Sequence, residues 1–106
     1  MTETKVYVGL NDAFTLEQRF ETEKYTSILK KVCFSYHVPF SFSVIEGGYF
    51  HENGDFTQER TLALSFFDID GDTVEQIARD LCVFFRQESV LVVESDVTMR
   101  FIKESL

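Results

Sequence analysis

Carboxylates and tyrosines near the ends of predicted strands are the residues of this sequence best suited to catalysis. A glutamate with a raised pKa can act as a general base, and a tyrosine hydroxyl can donate a hydrogen bond to the reacting group. Glu59 and Glu88 each stand in a short polar segment at the end of a predicted buried element. The candidates for catalysis are Glu59, Glu88, Tyr7 and Tyr49.

A second set of polar residues could bind a ligand. Arg60 adjoins Glu59, Arg86 and Gln87 precede Glu88, and serines occupy alternate positions of two predicted strands. Salt bridges and caps that fix the last crossover use the same residue types, and this structural interpretation is the favoured one. The candidates for ligand binding are Ser43, Arg60, Ser65, Arg86 and Gln87.

No motif for a metal or a cofactor is present, and we expect neither. The segment 68–72 begins like a calcium-binding loop, but its glycine, Gly71, is fourth instead of sixth and Arg79 stands where a glutamate is needed. His37 and His51 have no second histidine or cysteine at ligand spacing. The G-x-S-x-G elbow, the phosphate-binding loop and the dinucleotide fingerprint are also missing.

Length, composition and charge exclude several classes of protein. The chain has 106 residues, 44% of them hydrophobic, which suits one domain with a core and excludes intrinsic disorder. The net charge of −8, with no basic run longer than Lys30–Lys31, argues against nucleic acid and membrane surfaces as partners. An acidic surface could instead dock on a basic protein, as an inhibitor would.

The two cysteines are expected to be free thiols. Cys33 and Cys82 each fall on the apolar stripe of a predicted helix, and two cysteines are too few for a disulfide scaffold. The polar N-terminus passes directly into a predicted strand, so we expect no signal peptide. Both observations predict a cytoplasmic protein.

The hydrophobic pattern predicts two helices and four main strands. Apolar residues at intervals of three and four predict helices, and alternating ones predict strands. The predicted order is strand 5–10, helix 22–36, strand 40–46, strand 57–68, helix 73–86 and strand 89–94 with a continuation at 97–102. This is a ferredoxin-like βαββαβ α+β fold in one domain, 1–106, with both helices on one sheet face. The predicted core positions of the strands are Val6, Val8, Phe42, Val44, Leu62, Leu64 and Phe66.

Three local details complete the prediction. Asn53–Gly54 predicts a two-residue hairpin turn, which sets a register that conflicts with the apolar faces unless a bulge lies at Gly47–Gly48. Asp72 is the predicted cap of the second helix. The segment 11–21 is expected to form a loop or a short helical turn.

The other face of the predicted sheet carries mostly small, uncharged side chains. A sheet face in contact with water would normally hold more lysine, arginine and glutamate. We therefore expect this face to be covered, first by a second copy of the chain in a homodimer. A ligand held between two sheets is the alternative. The residues of this face are Tyr7, Gly9, Ser41, Ser43, Ile45, Thr61, Ala63, Ser65 and Phe67.

One segment resembles a known family. Residues 85–91 read F-R-Q-E-S-V-L, and with Y-V-G-L at 7–10, G-G-Y at 47–49 and Glu59–Arg60 they resemble a family of small bacterial domains of unknown function whose members often read F-x-Q-E-S-V-L. The likeness spans about 6–101. In that family the hairpin often carries a tryptophan, which is absent here. The resemblance implies a ferredoxin-like α+β fold and no established activity.

Three functions are consistent with these observations. The leading one is a small binding or interaction module that self-associates through the uncharged sheet face. The first alternative is an enzyme of the dimeric ferredoxin-like type that acts on a small molecule with glutamate and tyrosine groups. The second is the acidic inhibitor of a basic partner protein.

Overall fold

Four strands and two helices follow one another in the predicted order. The structure, a computed structural model, describes residues 1–105. Its elements are β1 (Thr2–Gly9), α1 (Thr22–Ser35), β2 (Ser41–Phe50), β3 (Phe56–Phe67), α2 (Gly71–Phe84) and β4 (Leu91–Asp96). The strands form one antiparallel sheet in the order β2-β3-β1-β4. The predicted ferredoxin-like α+β fold is therefore confirmed.

Both helices cover one face of the sheet and enclose the core there. In the two central strands, Val6, Val8, Leu62 and Leu64 are fully buried, because alternate residues of a strand point to the same face. Burial of each such side chain stabilises the fold by about 1.5–3 kcal/mol. The helices add the predicted stripes, Tyr25, Leu29, Val32 and Cys33 from α1 and Val74, Ile77, Ala78 and Leu81 from α2.

Strand β2 is covered less than the pattern predicts. Val44 points to the helix side of the sheet, opposite Leu62, yet its side chain is 45% exposed. Phe42 is only half-buried. Phe42 packs against the core, in agreement with the prediction. The prediction of Val44 as a core residue is wrong, because β2 is an edge strand and the helices pack on the central strands.

The hairpin between β2 and β3 corrects the predicted register. The strands pair without interruption from Ser41↔Ser65 to Phe50↔Phe56, so the predicted bulge at Gly47–Gly48 is wrong. The connection is longer than two residues: the N–H of His51 donates to the carbonyl of Asp55 (2.7 Å), and Gly54 takes a φ of +91°. This turn shifts the register by one residue and brings the apolar faces into agreement.

Two ends of elements also differ from the prediction. Asp70, not Asp72, caps α2: its carboxylate accepts hydrogen bonds from the N–H (2.9 Å) and the hydroxyl (2.7 Å) of Thr73. The hydrogen bonds to Thr73 lower the pKa of Asp70. The predicted strand 97–102 is absent, since beyond the N–H of Val97, which donates to the carbonyl of Met1, no strand lies beside this segment.

The face of the sheet opposite the helices, here called the open face, is uncovered in the single chain. Its residues include Ile45, Tyr49, Phe67, Leu91 and Val93, which are each 40–60% exposed. Among residues 1–105, no helix is long and apolar enough to cross a membrane.

Candidate functional site

The carboxylate of Glu59 lies on the open face, directly above Gly9. A Cβ atom added to Gly9 would lie 2.6 Å from Oε2 of Glu59, so only glycine leaves room for the glutamate in this position. Oε2 accepts a hydrogen bond from the backbone N–H of Asn11 at 3.0 Å. The half-buried carboxylate is thus held at one end of the sheet, where β1 leads into the loop 10–21.

Asn11 joins three separate parts of the chain. Its side-chain Nδ2 donates to the carbonyl of Gln58 at 3.0 Å. Its own carbonyl accepts a hydrogen bond from Nε2 of Gln87 at 2.5 Å. These bonds fix the loop after β1, the strand that carries Glu59 and the crossover that carries Glu88 relative to one another.

Asp12 is a buried carboxylate beside these bonds, with only 2% of the residue exposed. Its Oδ1 accepts hydrogen bonds from the N–H of Phe14 (2.8 Å) and of Thr15 (3.2 Å). Its Oδ2 forms ion pairs with Arg86 (2.5 Å) and Arg19 (3.7 Å). Burial would raise the pKa of Asp12, but these hydrogen bonds and the two guanidinium groups outweigh it and hold the pKa below 3.8.

Arg86 also shapes the turn that leads to Glu88. Its φ of +54° lies in the left-handed region, which a side chain with a Cβ rarely adopts. The ion pair with Asp12 and a hydrogen bond from the N–H of Ala13 to the carbonyl of Arg86 (3.0 Å) hold this conformation. The turn then brings the next residues, Gln87–Ser89, to the edge of the site.

These groups surround a polar cavity of about 320 Å³. Glu59 is half-buried and Glu88 exposed, and within residues 1–105 neither forms an ion pair. Arg86 and Arg19 pair with Asp12 from outside the lining, and the lining itself carries the carboxylates of Glu59 and Glu88 with no lysine or arginine among its residues. The lining residues are Asn11, Asp12, Ala13, Leu16, Tyr49, Glu59, Gln87, Glu88 and Ser89.

The structure brings some of the residues predicted from sequence together and separates others. Glu59, Glu88, Tyr49 and Gln87 line one cavity. Arg86 stands behind it, paired with Asp12.

The remaining candidates lie elsewhere. Arg60 points to the other side of the sheet, where it pairs with Glu46 (3.2 Å) and hydrogen-bonds to Thr22 (3.4 Å). Tyr7, Ser43 and Ser65 lie on the open face, outside the lining of the cavity.

Gly9, Asn11 and Asp12 belong to this site and are not among the site residues predicted from sequence. Gly9 stood in a predicted strand, where an isolated glycine can mark a close approach of another group, and that signal was available. Asn11 and Asp12 lie in a loop without hydrophobic periodicity, so no local pattern indicated their contacts. Among residues 1–105, no group of three histidine, cysteine, aspartate or glutamate side chains is placed to hold a metal ion.

Comparison with known proteins supports the fold. No protein-family model and no curated protein matches the chain. Among solved structures, a phage SAM lyase in complex with S-methyl-5'-thioadenosine has a TM-score of 0.67 at 20% identity, over 90% of this chain and 80% of the lyase chain.

Two further solved structures are similar at lower identity. A CutA1 variant from Pyrococcus horikoshii OT3 has a TM-score of 0.57 at 9% identity, over 95% of this chain and 87% of its own. The GlnK–ATP complex of B. subtilis has a TM-score of 0.51 at 14% identity, over 90% and 84% of the two chains. These likenesses, all below 25% identity, establish the ferredoxin-like fold and nothing more.

Proposed function

We propose that this chain is a self-associating module that binds a cationic nucleoside of the S-adenosylmethionine type in the cavity around Glu59. The observation that carries the proposal is a pair of glutamates in a cavity whose described lining holds no lysine or arginine but does hold an aromatic ring and amide groups. A sulfonium ion is a positive charge that cannot donate a hydrogen bond. Carboxylates are therefore its natural protein partners.

The arrangement of the cavity suits both halves of such a ligand. Oε2 of Glu59 is held by Asn11, and no residue among 1–105 donates a hydrogen bond to Oε1, so the carboxylate is oriented before a ligand arrives. Tyr49 supplies a ring against which a base can stack, and Gln87 and Ser89 supply polar groups for a ribose or an amino-acid end. The ligand of the similar phage lyase, S-methyl-5'-thioadenosine, is a neutral thioether nucleoside, which shares the adenosine part of such a ligand but not its charge.

Calorimetry with two ligands that differ in charge at sulfur tests the proposal. We expect S-adenosylmethionine to bind about tenfold more tightly than the neutral thioether S-adenosylhomocysteine, because only the sulfonium gains from the two carboxylates. Glu59→Gln and Glu88→Gln should remove most of this difference while leaving binding of the thioether nearly unchanged.

The matched control is Glu46→Gln, which neutralises an exposed glutamate on the other side of the sheet. It should change neither affinity. Equal binding of the two ligands by the unaltered chain, or binding of neither, contradicts the proposal.

The enzymatic alternative uses the same cavity. Glu59 or Glu88 would act as general base and Tyr49 as hydrogen-bond donor, whereas Tyr7 lies outside the cavity lining. The similar structure of a lyase favours an elimination, in which the glutamate takes a proton from the carbon next to the one bonded to sulfur. A C=C bond then forms as the C–S bond breaks, and its electrons leave with the neutral thioether. Chromatography of S-adenosylmethionine incubated with the chain tests this: a thioether product that Glu59→Gln no longer forms supports it, and unchanged ligand contradicts it.

Self-association through the open face is the second part of the proposal. Ile45, Phe67, Leu91 and Val93 expose apolar surface there beside the small residues Ala63 and Ser43. Lys5 and Glu3, which form an ion pair, lie on the same face beside Val93 and Phe67. Exposed apolar side chains bordered by polar ones are typical of an interface between subunits. We propose a homodimer, to be checked by native mass spectrometry. A chain that stays monomeric at high concentration contradicts it.

We also propose a family and a cellular compartment for the chain. Residues 85–91 suggest membership of the bacterial family of unknown function with the F-x-Q-E-S-V-L segment. The two free cysteines, one of them buried, suggest a reducing, cytoplasmic setting.

A further inference from the structure

The last strand of the sheet ends in an overhang. β4 pairs with β1 on one side only, so its outer edge is free. Past Val97 the chain continues beyond the start of β1, and none of the strands within residues 1–105 lies on either side of it. This overhang exposes Phe101 (89%) and Ile102 (80%), although its alternating pattern is that of a strand. A free edge and an unpaired strand therefore occur in one continuous segment.

We propose that two copies of the chain pair antiparallel along residues 91–103, with Val97 on the two-fold axis. The overhang of each copy then lies along the free outer edge of β4 of the other, and the two sheets become one sheet of eight core strands. The contact lies at the sheet edge and so goes beyond the association through the open face proposed above. An isologous contact of this kind closes a dimer and leaves no further edge of the same type.

The segment is complementary to itself in this register. Residues whose numbers add to 194 stand opposite each other, so Glu94 faces Arg100 of the second copy, and this ion pair occurs twice. Opposite residues have numbers of the same parity, and both therefore point to the same face of the joined sheet. Val93 then meets Phe101 on the open face, and Val92 meets Ile102 on the helix side.

The charges of the segment favour a second copy of the chain as the partner at the free edge of β4. Residues 97–103 carry Arg100 and Lys103 and no acidic side chain, although the whole chain has a net charge of −8. β4 carries Glu94 and Asp96 along its length. The basic overhang is thus complementary to the acidic edge that a second copy would offer.

A groove beside β4 gives the second copy a place for its apolar side chain. Val74, Ala78 and Cys82 of α2 and Val92 of β4 line a mostly apolar cavity of about 390 Å³ next to the free edge. It explains why Val92 is 39% exposed although it lies opposite the buried Val6. Ile102 of the second copy, standing opposite Val92 on the helix side, would enter this groove.

A single cysteine at the axis gives the sharpest test. The N–H of Val97 points to Met1, so its backbone groups are directed away from the outer edge. The two copies of Val97 would therefore face each other as a pair without hydrogen bonds, with their Cα atoms about 4.5 Å apart across the axis. That separation permits a disulfide. In a Cys82→Ala background, which keeps the groove apolar, Val97→Cys should be converted to a covalent dimer by mild oxidation at micromolar protein.

Ser95→Cys is the matched control. It stands on the same strand and face, but its copies would lie about 13 Å apart, since each residue advances the strand by about 3.3 Å. It should remain reduced in the dimer under the same conditions. Equal cross-linking of both variants, or of neither, overturns the proposed register.

Exchange of the charged pair provides an independent test by sedimentation. Arg100→Glu and Glu94→Arg should each raise the dimer Kd about tenfold through like-charge contacts, and the two together should restore it to within about threefold. Lys30→Glu on α1 and Glu52→Arg in the hairpin turn make the same charge changes elsewhere and should have little effect.

The outcomes also separate this proposal from the previous one. If each single charge reversal matches its control, or if the double variant fails to restore association, the edge contact is wrong even when the chain still forms dimers. In that case the open face remains the candidate interface. A chain that is monomeric throughout contradicts both.

Discussion

Asp12 is the residue that we expect to make the stability of this fold depend on pH. Its pKa is lower in the folded chain than the ordinary value of 3.8, because hydrogen bonds from Phe14 and Thr15 and the charges of Arg86 and Arg19 favour the carboxylate over the effect of burial. A lowered folded pKa stabilises the fold above the unfolded pKa. That stabilisation is lost as the pH falls through the folded pKa.

We therefore expect the folded chain to lose stability as the pH drops below about 4. In Asp12→Asn this part of the pH dependence should be missing, and the variant should be less stable than the parent at pH 7, since Arg86 loses its partner. Urea denaturation at several pH values measures both effects. Parallel pH profiles of the two proteins would show that Asp12 has no such role.

At the residue scale, part of the candidate site followed from chemistry alone. Glutamates, a tyrosine and a glutamine at the ends of apolar segments were predicted as a group, and Glu59, Glu88, Tyr49 and Gln87 do line one cavity. Arg60 was assigned to the same group because it adjoins Glu59. Adjacent strand residues point to opposite faces, so the two side chains of this pair are separated by the sheet.

The elements of the fold were predictable where their hydrophobic period was unbroken. The helix stripes from Tyr25 and from Val74 predicted α1 and α2 to within about two residues. The register of the hairpin was not predictable. One additional residue in the turn moves the apolar side chains of one strand to the other face of the sheet, and Asn53–Gly54 suits several turn types. The strand predicted at 97–102 could not form in a single chain, since a strand needs a neighbour.

Replacement by alanine should affect the stability of the fold differently at two glycines of the hairpin. Gly54 and Gly47 both have open space where a Cβ would stand, but only Gly54 has a positive φ, +91°. We expect Gly54→Ala to cost about 1 kcal/mol of unfolding free energy, and Gly47→Ala to cost nothing or to stabilise slightly. Chemical denaturation compares them, and equal effects would argue against the turn described here.

For the whole molecule, the net charge of −8 makes ionic strength informative. Two copies repel each other, and salt screens that repulsion. Self-association through the open face should therefore strengthen between about 20 and 300 mM salt, as sedimentation would show, whereas the edge contact with its two Glu94–Arg100 pairs should strengthen less or weaken. Binding to a basic protein, the inhibitor alternative, would weaken over the same range. A dimer Kd that rises steeply with salt would favour mainly electrostatic contacts.

The bond between Gln87 and Asn11 joins residues 76 positions apart in the chain. Contacts between distant residues form late in folding, because a large loop must close before they are made. During synthesis the cavity cannot exist until the crossover after α2 has left the ribosome, when most of the sheet is already available to pair. Ligand binding would then report a late step of folding, and a ligand present during refolding would stabilise the finished chain without accelerating the earlier steps.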